Sequence, residues 1–154
     1  MKIDSTDRKI LASLLENSKF SYRQIAKRIN VSAATVMNRI RKLEGNNVIT
    51  SYSSKIDHSK LGFDITAIVE LKIKKGKDED VYNGLMVNPY VTSLYKITGP
   101  YDILAVTKFR SREELNKFIE KLVGDENIED THTKYVLDIL KDDNAIRIDH
   151  PAFA

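Results

Sequence analysis

Residues 17–43, NSKFSYRQIAKRINVSAATVMNRIRKL, constrain the fold more than any other stretch, because two helix starts and a sharp turn fall there at fixed spacing. Ser21 with Gln24 three residues on has the spacing of a capping box, in which each residue satisfies a backbone donor of the other. The helix so opened buries Ile25, Ala26 and Ile29. Asn30 follows, and asparagine tolerates the left-handed conformation that ends a helix abruptly. Ser32 then caps a second helix through about Gly45, whose Val36, Ile40 and Leu43 recur at i, i+4 and i+7. A helix, a tight turn and an amphipathic helix make the helix-turn-helix geometry, whose second helix enters a DNA major groove.

The charge pattern agrees. Residues 1–60 hold 12 Lys/Arg against five Asp/Glu, whereas 61–154 hold 13 against 17. Residues 17–43 carry seven basic side chains and no acidic one. A basic half of this kind faces a polyanion. The alternative is an ordinary surface helical hairpin with a solvated charged face.

Projected at about 100° per residue, the helix after Ser32 turns Ala34, Thr35, Asn38, Arg41 and Lys42 away from its apolar side. Small residues at its start allow close approach to the groove floor. Ser32 can cap the helix or bond a phosphate, Asn38 suits a bidentate contact to adenine, and Thr35 can meet a thymine methyl. Arg23, Lys27, Arg28, Arg39, Arg41 and Lys42 are assigned to phosphates, which supply affinity without sequence information.

A further helix precedes this unit at about 4–16, with Asp4 or Ser5 as cap and Ile10, Leu11, Leu14 and Leu15 on one face. Residues 48–57, VITSYSSKID, read as a wing or connecting strand. Strict alternation over 64–74 predicts a strand with Ile65, Ala67, Val69, Leu71 and Ile73 inward. A helix at 78–87, capped by Asp78, carries Val81, Leu85 and Met86. Strands at 91–98 and 103–109 flank the turn Gly99-Pro100-Tyr101-Asp102. Ser111 and Glu114 open a helix over 112–123 with Leu115, Phe118, Ile119 and Leu122 inward; Gly124 ends it. A long strand follows at 128–140, and AIRI at 145–148 reads as a short extra strand.

Two strand-helix-strand units in succession predict an α+β domain, a ferredoxin-like βαββαβ sandwich with both helices on one sheet face. The other face calls for a cover, and a second copy is the economical one, so at least a homodimer is expected. The organisation is 1–47 for DNA binding, 48–60 as connecting strand, 61–141 as the αβ domain and 142–154 as a tail.

Around these motifs the chain resembles the Lrp/AsnC group, the feast/famine regulators of amino-acid metabolism in bacteria and archaea. The resemblance runs from IDSTDRKIL through RIRKLE, VIT-Y, KLGF and ITGPYDILAV to IEDTHTKYVLDILK, and at the C-terminal end leaves out the final 13 residues. It implies a winged helix-turn-helix followed by an effector-binding, oligomerising αβ sandwich. It also implies dimers, often assembled as octamers of four dimers, with an amino acid bound between neighbouring dimers. The ligand region it carries over is Gly99, Tyr101, Asp102, Thr131 and Thr133. Asp102 would pair with the ammonium, and the threonine hydroxyls with backbone N–H groups of Gly99 and Tyr101 would hold the carboxylate. The bland alternative is that Asp102 merely closes the turn. Many members carry an acidic residue where Pro100 stands here, and the reading helix begins SAAT, so neither effector nor operator is implied.

Other classes fit less well. His58, His132 and His150 lie far apart, and no metal, nucleotide or nucleophile motif appears, so neither an enzyme nor a metal or cofactor site is expected. His132 points to the sheet face opposite Thr131 and Thr133, and is read as structural. The adjacent pairs Glu113-Glu114 and Asp142-Asp143 are read as solvated. The remaining rival is a DNA-architectural protein without an effector, its αβ domain serving only assembly. Without cysteine, signal-peptide pattern or membrane-length apolar run, a cytoplasmic location is expected.

Overall fold

A computed structural model describes residues 2–142, 146 and 148. The expected strand at 145–148, the second aspartate of the 142–143 pair and His150 lie outside the described residues, save 142, 146 and 148. Two compact units result, Ile56–Leu140 forming the second.

The first unit holds α1 (Ser5–Glu16), α2 (Tyr22–Ile29) and α3 (Ala33–Gly45). Asp4 caps α1 through a capping box with Asp7, and Ser21 caps α2 through the expected box with Gln24. Asn30 ends α2 at φ 56°, the left-handed turn anticipated for it. Ile10, Ile25, Ala26, Val36, Ile40 and Leu43 form the core, with Leu11, Leu14 and Ile29 packed at its edge. Leu15 was expected inside but is 53% exposed. Five residues on from Ile10, it lies about 140° round the helix. In its place α1 buries Asp7 and Ser13, whose hydroxyl donates to the Lys9 carbonyl at 2.9 Å.

Residues 48–57 form no strand. A strand exists only against a partner ladder, and this segment has none in the described chain. It folds back on α3 instead, the Tyr52 hydroxyl donating to Glu44 at 2.8 Å. Burial, then the neighbouring carboxylate, pushes the Tyr52 phenol up to about 12.

The second unit begins with a single 3-10 turn at Ser59–Leu61. Then come β1 (Ile65–Ile73), α4 (Asp78–Met86), β2 (Val91–Lys96), β3 (Ile103–Phe109), α5 (Arg112–Val123) and β4 (Ile128–Tyr135). The sheet order is β2-β3-β1-β4 and every neighbouring pair is antiparallel, the ferredoxin-like arrangement. Alternate residues of β1 and β3 pack with Val81 and Leu85 of α4 and Leu115, Phe118 and Leu122 of α5. Both helices therefore cover one face. The opposite face carries Ile68, Leu104 and Val106, half-buried, beside exposed Tyr95.

Three details differ from expectation. Asp78 is the first residue of α4 rather than its cap, and its carboxylate accepts from the Tyr82 hydroxyl at 3.2 Å. Met86, five residues from Val81, is exposed for the same angular reason as Leu15. The last strand stops at Tyr135 because β1 begins at Ile65, so after Val136 donates to the Thr66 carbonyl no partner remains. Leu137 and Leu140 beyond it are more than 90% exposed.

Candidate functional site

The basic unit presents α3 with Ala34, Asn38, Arg41 and Lys42 exposed and Val36, Ile40 and Leu43 buried. Ser32 caps the helix: its Oγ accepts from the Thr35 N–H at 3.0 Å and lies 2.8 Å from the Thr35 hydroxyl. Capping thus engages both Ser32 and Thr35. Arg23 and Lys27 are exposed on α2.

Two of the cations assigned to phosphates are committed elsewhere. Arg28 pairs with Glu16 and lies 4.7 Å over the Phe20 ring. Arg39 turns back to α1, its Nη1 donating to Asp4 Oδ2 at 2.5 Å and to the Asp7 carboxylate at 3.3 Å. The Asp7 backbone N–H, with help from Arg39, holds the Asp4 carboxyl below the usual range, and Asp4 in turn raises the Arg39 guanidinium. Arg39, assigned to a phosphate from the sequence, is thus held by two carboxylates of its own domain. Of the cations assigned to phosphates, Arg23, Lys27, Arg41 and Lys42 are exposed and make no ion pair among the described residues. No acidic residue occurs on α3 before Glu44.

In the αβ unit the tip 97–102 is a turn that aspartate makes possible. Asp102 donates its N–H to the Leu71 carbonyl at 2.9 Å, and its carbonyl accepts from Ile97 N–H at 2.9 Å. Its carboxylate accepts from the Ile73 N–H at 2.8 Å, taking over the β1 ladder where the backbone of β3 has turned away. Gly99 sits at φ 119°, a region that disfavours residues with a Cβ.

The structure divides the other three expected ligand residues. Thr131 pairs with Leu71 and Thr133 with Val69, so both side chains stand on the helix-covered face. There Thr133 lines an open cavity of about 350 Å3 with Leu115, Asn116, Ile119 and Glu120. Tyr101 goes to the other face. Its hydroxyl donates to Asp130 Oδ2 at 3.1 Å and its ring lies 5.8 Å from His132.

His132 extends this cluster. Its Nδ1 is 3.1 Å from Glu70 Oε2, which also accepts from Lys134 at 2.8 Å. Lys134 first, and His132 after it, hold the Glu70 carboxyl below its ordinary range. Lys72 pairs with Glu129 at 2.7 Å on the same face, which keeps its ammonium firmly protonated. Desolvation, then Asp130, raises the Tyr101 phenol. Sequence reading missed Glu70, Asp130 and Lys134 as neighbours of Tyr101, because their meeting depends on the β1/β4 register. Among the described residues no cluster of His, Cys, Asp and Glu could hold a metal ion, and no helix is long and apolar enough to cross a membrane.

Comparison with known proteins places both units. The AsnC-type helix-turn-helix domain matches residues 3–44, and the Lrp/AsnC ligand binding domain matches residues 66–146. An uncharacterised HTH-type transcriptional regulator of Pyrococcus furiosus is 42% identical over 143 residues, 93% of this chain and 97% of that protein. The HTH-type transcriptional regulator FL11 of the same organism is 31% identical across 91% of this chain and 93% of its own length. The structure of E. coli AsnC superposes with a TM-score of 0.87 at 29% identity, covering 96% of this chain and 99% of that one. A transcriptional regulator of Neisseria meningitidis, solved as a complex with L-Met, superposes at 0.91 with 24% identity, over 97% and 99% of the two chains, and shares the fold.

Proposed function

Because the chain belongs to the Lrp/AsnC family of DNA-binding transcriptional regulators and carries its ligand-binding domain, we propose that it reads a palindromic operator as a dimer. We infer further that it acts in amino-acid metabolism, with a free amino acid between subunits shifting its assembly. The observation that carries the first part is the exposed face of α3, where Ala34, Asn38, Arg41 and Lys42 stand together without an acidic neighbour. Asn38 reads adenine; Arg23, Lys27, Arg41 and Lys42 take phosphates; Ser32 and Thr35 keep the helix N-terminus ordered against the backbone.

The half-buried strip of Ile68, Leu104 and Val106 favours a second copy on the open sheet face, since a two-fold axis pairs such a strip with itself. Tetramers or octamers of these dimers, in a cytoplasmic setting, complete the reading. An effector in contact with all of Gly99, Tyr101, Asp102, Thr131 and Thr133 must take those contacts from more than one protomer. Tyr101 and the threonines lie on opposite faces of one sheet, too far apart for a small molecule to bridge. L-Met is only one of the twenty amino acids to be tried.

The test uses a duplex selected by the wild-type protein from a randomised pool, with the unselected pool as competitor. Asn38→Ala should reduce discrimination at one base pair of each half-site by roughly ten- to a hundredfold, the value of a bidentate contact of about 1–3 kcal/mol. Unaltered preference would remove Asn38 from the reading role. For the effector, melting is followed with each of the twenty amino acids. A binder present at a hundred times its Kd stabilises by about 2.7 kcal/mol. If none raises Tm, the effector-free architectural reading takes over.

A further inference from the structure

We propose that Arg39 is a positioning residue for DNA recognition: anchored on the Asp4–Asp7 carboxylate pair of α1, it sets the rotation of α3 in the groove. This rests on the DNA-reading assignment of α3 and adds to it a determinant of specificity that touches no base.

The geometry is unusual for a surface arginine. Asp7 is 1% exposed, so its carboxylate has left water and must be compensated where it lies. Compensation comes from two sources only among the described residues. The Asp4 N–H donates to Asp7 Oδ2 at 3.1 Å, and Arg39 Nη1 reaches both oxygens, at 3.3 and 3.4 Å. Asp4 Oδ2 holds the same nitrogen at 2.5 Å, while Asp4 Oδ1 accepts from the Asp7 N–H at 2.9 Å. The two aspartates are thus a capping box and an arginine receptor at once. If Arg39 swung out to a phosphate, Asp7 would remain buried and charged with only one backbone donor, which makes that exchange unfavourable.

Such a bond does what the apolar core cannot. The contacts of Val36, Ile40 and Leu43 with Ile10 and Ile25 are non-directional and tolerate a small roll of α3 about its axis. Side-chain ends lie about 5–6 Å from a helix axis, so a roll of about 20° moves them about 2 Å. That is enough to break a bidentate contact from Asn38, the residue next to Arg39. A charged, distance-sensitive bond from the middle of α3 to the start of α1 resists that roll.

The experiment measures binding to the selected duplex and to the unselected pool across a salt series, at a temperature where circular dichroism shows each variant folded. Arg39→Gln and Asp7→Asn are expected each to lower the ratio of specific to non-specific affinity tenfold or more, with the salt slope unchanged. Asp7→Asn is the sharper of the two. It removes a negative charge, so electrostatics alone would tighten binding to both DNAs. Arg39→Lys should restore part of the ratio. If Asp7→Asn does not fold, Asp4→Asn replaces it, because asparagine remains a good N-cap while losing the charge.

Three results would overturn the proposal. One is a lower melting temperature with the ratio intact, which makes the cluster merely structural. Another is a drop of about one in salt slope for Arg39→Gln alone, the mark of a direct phosphate contact. The third is an unchanged ratio for the clamp variants and for Asn38→Ala alike. That last outcome removes α3 as the reading helix, whereas a ratio relaxed only by Asn38→Ala removes the clamp alone.

Discussion

Replacing Phe109 with alanine is expected to cost the αβ unit about 3–5 kcal/mol, the usual loss for deleting a fully buried aromatic ring. Phe109 is fully buried at the end of β3, opposite Ile65 in β1. Its ring centroid lies 4.8 Å from Tyr90 and 5.4 Å from Phe118, and Tyr90 and Phe118 meet edge-on at 6.4 Å. Truncation would open a cavity where β3 hands over to α5, and the rings around it cannot collapse without giving up contact with each other. For a unit of this size each kcal/mol moves Tm by about 4–8 °C, so a drop on the order of 15–30 °C is expected. The first unit has a core that shares no residue with this one, so hydrogen exchange in α1–α3 should stay near wild type. A loss below about 1 kcal/mol, or equal loosening of both units, would show that the aromatic cluster does not hold the sandwich together.

That division into two cores was legible in the sequence because its signals are local. The alternation over β1, the caps at Ser21 and Ser32 and the left-handed Asn30 all depend on neighbours within four residues, and all are present as read. What failed depended on angle or on partners distant in sequence. Leu15 and Met86 were grouped with residues five positions away, although only three- and four-residue steps return to one face. Residues 48–57 have strand composition, but composition does not supply the neighbouring ladder that a strand requires.

The candidate site was legible to the same limit. Asn38, Arg41 and Lys42 follow from helical geometry alone and are exposed as expected. Arg39 could not be told from Arg41 by charge. Asp4 and Asp7, which claim it, are more than 30 residues away, and a buried aspartate runs against the apolar stripe expected of α1. Thr131, His132 and Thr133 alternate as they should, but which of the two sets Tyr101 would join depended on the path of the turn. It joined His132 and Asp130.

Asp102 is where the turn and the effector reading meet, and two substitutions separate them. Asp102→Ala removes the acceptor of the Ile73 N–H, leaving a buried strand donor unpaired at a cost of about 1–3 kcal/mol, so melting should fall by several degrees. Loss of an amino-acid response in that variant would therefore prove little. Asp102→Asn keeps an amide oxygen where the carboxylate oxygen was, and can still accept from Ile73 N–H. Its stability should lie within about 1 kcal/mol of wild type, because it trades a charged acceptor for a neutral one. An ammonium, by contrast, gains no ion pair from asparagine. If Asp102 holds the amino group of an effector, Asp102→Asn should melt near wild type while its thermal shift with the active amino acid shrinks by a factor of ten or more in apparent affinity. Should Asp102→Asn keep the full thermal shift, the carboxylate is there to complete the β1 ladder, and the ammonium must be sought beside Glu70, Asp130 and Glu129 on the open face. On that face Lys72 already pairs with Glu129 and Lys134 with Glu70, which also lies 3.1 Å from His132 Nδ1, while Asp130 accepts from the Tyr101 hydroxyl. An incoming ammonium would have to displace a lysine from Glu70 or Glu129, or compete with the Tyr101 hydroxyl for Asp130. The Asp102 carboxylate, by contrast, holds one backbone N–H and no ion pair among the described residues, and is the residue to test first.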